Sequence, residues 1–424
     1  MSLPLFVLSF NLGKLSLNAH EFTESLVQNF PDDPCDLYVF GFQEMCSILD
    51  GCFQPAVEKH MIDINRVLLL ALKKKYSSPD QKNFDFTTVG MHNCGAVGIV
   101  AITPFVLRFA NARFADASCG TLCTLTKGAV GLRIQYVSED TSITELTFAN
   151  AHLCALEGEL QYQTRLANLQ SVMRAMDFGD NYNFLKPNCH SFFMGDLNFR
   201  TSKKGTSPVD ELLNLPLNRE VDPLEPDDKQ TAYIVSLVKK YDELTAGREN
   251  GELFLGFEEP YISFPPTYKY HLGTAIYNSL RSPLWCDRIL YQSTYRRGMS
   301  PVAHKYMSMP LYLRSDHRPV FLHITIPVEA PASIIDQNGH LVLLPPAHEI
   351  ANAKKFRLID NKNEVSGPTQ TYMKSTPLDK MQQSFFRPIS DLCLGNALWL
   401  STTTRGRLFV LALVVLSAIS FYLS

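Results

Sequence analysis

Short apolar runs that stop abruptly at one or two polar residues recur along this 424-residue chain, and they limit its fold more than any other feature. In Ser191-Phe192-Phe193-Met194-Gly195-Asp196-Leu197-Asn198-Phe199-Arg200, three apolar residues run into a glycine, as a buried strand does at a tight turn. Asp196 and Asn198 follow, two positions apart. An extended backbone there would point both side chains to one side. A carboxylate accepts a proton from water, and a neighbouring amide holds that water or a phosphate oxygen without adding charge. A strand end capped by an Asx turn would account for the same residues taken alone.

The pattern repeats. Residues 4–10 form a strand-like run that delivers Asn11, and residues 36–43 deliver Glu44. Residues 21–28 and 57–76 carry helical spacing, the second through Val57, Met61, Ile64, Leu68 and Leu72. Two strand pairs follow, 86–89 with 97–102 and 130–137 with 146–149, the second leading to His152. A helix over 159–176 has Leu160, Leu166, Leu169, Val172 and Met173 as its expected buried stripe, and the Asp196 strand comes next. Residues 201–250 are polar and helical in part, broken at Pro216, Pro223 and Pro226. Beyond them Trp285-Cys286-Asp287-Arg288-Ile289 and Ser315-Asp316-His317-Arg318-Pro319 precede further apolar runs, the last over 320–326. Strands that repeatedly end in polar residues predict an α/β fold: a two-sheet β-sandwich flanked by helices, with one site at the strand ends. Residues 1–328 make up this unit. Residues 329–398, Pro-rich and polar, are expected to form a linker with at most a small hairpin near Leu341 and Leu344.

Collected by chemistry, the strand ends supply Asn11, Glu44, His152, Asp196, Asn198, Asp287, Asp316 and His317. Carboxylates and amides without cysteine suit a hard, oxygen-loving cation, with Mg²⁺ the default. Lys127, Lys269, Arg288 and Arg318 lie nearby as cationic partners for an anionic substrate. Each has an ordinary alternative: a surface cap for Glu44, a satisfied core histidine for His152, a local pair for Asp287 with Arg288. The recurrence at successive strand ends is what those alternatives leave unexplained. A net charge of -3 gives no general basic field for nucleic acid. Ten scattered cysteines, without CxxC pairs or zinc spacing, fit reduced thiols in the cytosol.

These residues stand in blocks that resemble the inositol polyphosphate 5-phosphatases, of the endonuclease/exonuclease/phosphatase superfamily. The blocks are Phe40-Gly41-Phe42-Gln43-Glu44, Lys127-Gly128-Ala129-Val130, Asn150-Ala151-His152-Leu153 and the Gly195 to Arg200 run. Phe264-Pro265-Pro266-Thr267-Tyr268-Lys269-Tyr270 and the Trp285 and Ser315 blocks complete the set. The Gly-Asp-Leu-Asn and Ser-Asp-His cores belong to the whole superfamily, whereas the Pro-Pro-Thr-Tyr-Lys-Tyr and Trp-Cys-Asp-Arg-Ile blocks point to 5-phosphatases. The resemblance implies that Glu44 binds Mg²⁺ with Asn11 and Asp316 close by. It implies that Asp196 orients and deprotonates the attacking water beside Asn198. His317, held by Asp287, and His152 would contact the scissile phosphate. Lys127 and Lys269 would engage the neighbouring 4-phosphate, with Tyr268 and Arg288 also on the substrate. Thr126 and His271 replace an asparagine and an aspartate common in the family, which bears on substrate preference.

The implied activity is Mg²⁺-dependent removal of the 5-phosphate from phosphoinositide lipids and soluble inositol polyphosphates. A phosphodiesterase of the same superfamily (sphingomyelinase-like or a nuclease) and a non-catalytic phosphoinositide-binding module are the alternatives. Residues 408–423 are unbroken apolar or small residues after Arg405 and Arg407. A C-terminal transmembrane anchor is expected, with both arginines and the catalytic domain on the cytosolic side. At helical rise the run covers about 24 Å, which favours a thin bilayer such as the endoplasmic reticulum.

Overall fold

In the computed structural model, residues 2–77, 84–201, 210–213, 228–344, 357–358 and 373–423 are described. Two six-stranded mixed sheets pack face to face. The first has the order β11-β12-β1-β2-β4-β3, from β1 (Ser2–Asn11), β2 (Leu37–Gln43), β3 (Thr87–Cys94), β4 (Val97–Thr103), β11 (Val302–Ser308) and β12 (Val320–Pro327). The second runs β5-β6-β7-β8-β10-β9, from β5 (Phe109–Ser118), β6 (Gly128–Val137), β7 (Ile143–His152), β8 (Cys189–Asp196), β9 (Phe257–Glu258) and β10 (Asp287–Gln292). Each sheet has one parallel pair, β1 with β2 and β7 with β8; the other pairs are antiparallel.

Period two explains the layering. Along β1, Leu3, Leu5 and Val7 face the other sheet and join Val130, Leu132, Phe148, Phe192 and Ile289 in the central core. Phe6, Leu8 and Phe10 point the other way, onto α1 (Ala19–Asn29) and α3 (Gln54–Tyr76), through Phe22, Leu26, Met61 and Leu68. A short α2 (Ile48–Gly51) precedes α3. In the second sheet Ala149, Ala151 and Phe193 meet Leu169, Val172 and Met173 of α4 (Glu159–Ala175). Strands buried on both faces are therefore unbroken apolar runs, and each fully buried Phe or Leu contributes about 1.5–3 kcal/mol. Asn18 caps α1 by accepting from the Glu21 amide, and Pro55 stands in the first turn of α3, whose last turn carries Lys73, Lys74 and Lys75.

The structure differs from the sequence reading in several places. On α4, Leu160 is exposed and Tyr162 and Arg165 are buried instead, because Arg165 is drawn inward by Glu243. Between β8 and β9 lie α5 (Asp210–Leu213), α6 (Asp228–Tyr241) and α7 (Glu243–Glu249); the prolines at 216, 223 and 226 fall outside the described residues. Residues 329–344 are no free linker, since Ile334, Ile335 and Leu343 enter the core under the second sheet. Near Leu341 a two-residue β13 (Leu343–Leu344) pairs with β14 (Arg357–Leu358). Residues 377–402 are helical, as α8 (Pro377–Met381), a π turn (Gln382–Phe386) and α9 (Arg387–Thr402). α10 (Thr404–Leu423) has 20 residues, about 30 Å at helical rise, and begins with Thr404 to Arg407 ahead of the apolar run 408–423.

Candidate active site

Strand register gathers the polar ends at one rim. Asn11 lies opposite Gln43, Gly128 opposite His152, His152 opposite Asp196, and Asp196 opposite Asp287. β12 starts opposite Ser9, which brings the preceding Asp316 and His317 to the same place. Strands running one way contribute their last residues and those running the other way their first. The result is a pocket of about 280 Å³ lined by Asn11, Glu44, Lys127, His152, Asp196, Asn198, Tyr268, Lys269, Asp316 and His317.

Asp196 is the buried centre. Its Oδ2 accepts from Asn11 Nδ2 at 2.9 Å and lies 3.3 Å from His152 Nε2 and 3.9 Å from His317 Nε2; its Oδ1 accepts from the Asn198 amide at 3.1 Å. Gly195 precedes it at φ 141°, with the Ala151 carbonyl where a Cβ would stand, so no side chain fits there. Burial alone would raise the Asp196 pKa, but His152, His317 and Lys127 outweigh it and hold the carboxyl far below the usual range. His317 Nδ1 donates to Asp287 Oδ2 at 2.9 Å, and Thr267 donates to the same oxygen at 2.6 Å. Burial opposes the imidazolium, yet Asp287, Asp196 and Asp316 raise the His317 pKa to about 9. The Tyr268 ring packs on the His317 ring at 4.4 Å between centroids.

The cationic wall is built separately. Lys127 contacts His152 Nε2, and burial lowers the pKa of both groups, His152 further by the Lys127 charge. Lys269 pairs with Asp316 at 3.1 Å and Lys14 with Glu44 at 3.6 Å, the latter pair partly exposed. Asn11, Glu44, Asp196 and Asp316 present oxygen donors to one pocket with no thiol among them. That donor set fits a hard divalent cation. Cys286 lies close to Asp196, Asp287 and His317, but burial pushes its thiol well up, and Nδ1 of His317 is taken by Asp287. Cys286, Asp287 and His317 are joined by hydrogen bonds, with Asp196 3.9 Å from His317 Nε2, and the group is not a second cation site.

Several sequence expectations need correction. Asn198 does line the pocket, but its φ is 56°, so it reaches there by a left-handed turn and not by extended backbone. Arg288 is fully buried on the other face of β10, donating to Glu259 at 2.8 and 2.6 Å and to Asp242 at 2.8 Å, and cannot reach a substrate in the pocket. Arg318 is likewise committed, to the carbonyls of Ser315, His317 and Thr274, with Tyr270 3.8 Å beneath it. Two pocket cations escaped the sequence reading, Lys14 and Arg200. Arg200 donates to Asn198 Oδ1 at 2.6 Å, and the block ending Asn198-Phe199-Arg200 was the signal for it.

Residues 8–323 match the family model described as endonuclease/exonuclease/phosphatase family 2, and the chain belongs to that family. Within it, the resemblance to the inositol polyphosphate 5-phosphatases holds. A polyphosphatidylinositol phosphatase of Saccharomyces cerevisiae is 33% identical over 46% of this chain and 15% of that protein. A phosphatidylinositol 3,4,5-trisphosphate 5-phosphatase 2A of Danio rerio is 27% identical over 83% of this chain and 25% of its own length. The chain thus spans at most a quarter of these two relatives. Among solved structures, the inositol polyphosphate 5-phosphatase domain of SPsynaptojanin, in complex with inositol (1,4)-bisphosphate and calcium ion, is 25% identical. It superposes with a TM-score of 0.58 over 77% of this chain and 84% of that one.

Proposed function

We propose that the chain is a Mg²⁺-dependent phosphatase that removes the 5-phosphate from phosphoinositides, and from soluble inositol polyphosphates, while held at a membrane through α10. The observation that carries this reading is a buried Asp196 set between two histidines, its carboxyl held far below the usual range, inside a ring of lysines and Arg200. A phosphomonoester dianion needs such a ring, and in-line attack needs an acceptor to aim the water. Asp196 is a weak base at so low a pKa. The loose transition state of phosphoryl transfer asks little deprotonation of the water beforehand, so positioning is its larger contribution.

His317, cationic at neutral pH and fixed by Asp287, donates through Nε2 to a phosphoryl oxygen. Asn11 holds Asp196 in place, and Asn198, anchored on Leu153 O and Arg200, shapes the water site. Lys269 and Lys127 stand at the pocket wall where a 4-phosphate would lie, with Tyr268 against His317 closing that side. Glu44, Asn11 and Asp316 would hold Mg²⁺, which when bound supplies Lewis-acid stabilisation of the leaving inositol oxygen. One helix among the described residues, Thr404–Tyr422, is long and apolar enough to cross a membrane. Arg405 and Arg407 at its start suit the cytosolic side, where phosphoinositide headgroups are presented.

The test is phosphate release by the full chain in micelles, from phosphatidylinositol 4,5-bisphosphate and from inositol 1,4,5-trisphosphate. Release of the 5-phosphate alone, abolished by EDTA and restored by Mg²⁺, is the expected result. Binding of both compounds without release would make the chain a phosphoinositide-binding module instead.

A further inference from the structure

The helical stretch α8–π–α9 is amphipathic the wrong way round for a soluble domain. One row of its polar residues faces the protein, while Lys380, Ser384 and Asn396 are exposed. Asp379 accepts from Arg174 of α4 at 2.7 and 2.8 Å, and Gln383 accepts from the Ser118 amide at 2.9 Å while donating to its carbonyl at 3.1 Å. Arg387 pairs with Asp116, Asp391 accepts from the Leu125 amide at 2.8 Å, and Gly395 rests on Cys52 and Phe53. These five residues recur every four positions, slightly slower than an α-helix turns, and the π turn Gln382–Phe386 lets the row stay on one side. Leu378, Met381, Phe385, Phe386, Ile389 and Leu392 are all exposed on the remaining surface. A row of large apolar side chains facing outward marks a surface that meets something other than water.

We propose that this stretch is an interfacial helix: its apolar face lies in the headgroup boundary of a lipid bilayer while its polar face is bolted to the catalytic domain. The occupant follows from continuity. α10, the helix apolar enough to cross a bilayer, starts directly after Thr403, so α9 ends at the membrane surface once α10 spans it. Trp399, near that junction, packs on Phe409 of α10 at 6.4 Å, as an aromatic at the interface would. The consequence is orientation. Ser118 to Leu125, the segment the helix grips, leads into Lys127 of the pocket wall, and one cavity is lined both by Cys52 and Leu125, which the helix contacts, and by Glu44 and Lys127 of the site. The membrane thus fixes the mouth of the site beside the lipid headgroups, beyond what a flexible tether would do. This placement rests on the anchor reading of α10.

Cys393 provides the probe, because it is the one cysteine that is exposed, the other nine being buried or half-buried, and it sits on α9 beside Leu392. A fluorophore attached to it in the full chain, reconstituted in phosphatidylcholine vesicles, is challenged with aqueous iodide and with brominated lipid; a Cys393→Ser chain corrects for labelling elsewhere. Quenching by brominated lipid with several-fold weaker iodide quenching supports the interfacial helix. A label open to iodide and untouched by brominated lipid overturns it, and one shielded from both assigns the face to a second copy or another protein and overturns it too. A chain that does not float with the vesicles refutes the anchor as well as the placement. In the same vesicles, Phe385→Asp with Ile389→Asp should slow turnover of phosphatidylinositol 4,5-bisphosphate roughly tenfold and leave inositol 1,4,5-trisphosphate turnover unchanged. Equal turnover of the lipid by both chains would count against the proposal. If the parent chain hydrolyses neither compound, the phosphatase reading fails and the label still decides where the helix lies.

Discussion

Asp196 touches more of the proposed chemistry than any other side chain, with Asn11, His152 and the Asn198 amide all within 3.3 Å. Asp196→Asn keeps the volume and the acceptor toward Asn198 but removes the charge that aims water and balances two histidines. We expect turnover of inositol 1,4,5-trisphosphate to fall by roughly 10²-fold or more, with binding changed far less. Phosphate release within a few-fold of the parent would remove Asp196 from the mechanism. This residue was legible in the sequence because a buried run and a glycine frame it. Arg288 misled because adjacent strand residues face opposite ways: Asp287 turns to His317 and Arg288 to Glu259. Arg200 was missed because extended backbone was expected at Asn198, whereas that asparagine, a residue type prone to positive φ, takes a left-handed turn and redirects the chain.

Among the elements, β2 and β7 carry the joint between the sheets. Asn150 of β7 donates to the carbonyls of Phe42 and Gly98 at 2.9 and 2.8 Å, and accepts from Gln43 Nε2 at 2.6 Å. Gly41 makes room, since a Cβ there would stand 2.6 Å from the Asn150 side chain. This buried tie lies two residues before His152 and, through Gln43, one before Glu44, so it sets the spacing of the two walls. Asn150→Ala leaves one side-chain amide and two carbonyls without this partner, at a cost of about 1–3 kcal/mol for an unsatisfied buried group. We expect a lower urea midpoint, and activity reduced in proportion beyond the loss of folded protein; an unchanged midpoint would show that water replaces the amide. Both parallel β-α-β units were readable from apolar runs and helical spacing. β5 was not, because its middle is exposed and breaks the alternation. The α8–α9 stretch was read as linker because polar residues make its contacts, and no pattern of burial marks them in sequence.

For the whole molecule, the same burial that forms the sandwich makes it sensitive to acid at a point remote from the pocket. His190 is the second residue of β8 and is buried, its Nδ1 2.7 Å from the Tyr295 hydroxyl and its Nε2 3.4 Å from the Val328 carbonyl. It therefore ties the second sheet to the segment that leaves β12 of the first. Burial lowers its pKa to about 4, only partly opposed by the Val328 carbonyl. The unfolded chain would bind a proton near pH 6.5, so between these values the unfolded state holds more protons than the native one. Native stability from this group is complete above the unfolded value and declines as pH falls toward 4. A shift of this size corresponds to about 3 kcal/mol. His190→Gln cannot take up the proton, so its urea midpoint should depend less on pH over that range, whatever its stability at neutral pH. The measurement is the midpoint of the full chain in micelles near neutrality and near pH 4, for parent and variant. Parallel pH slopes would mean that His190 does not remain neutral in the native protein, and that the acid response of the fold comes from its carboxylates.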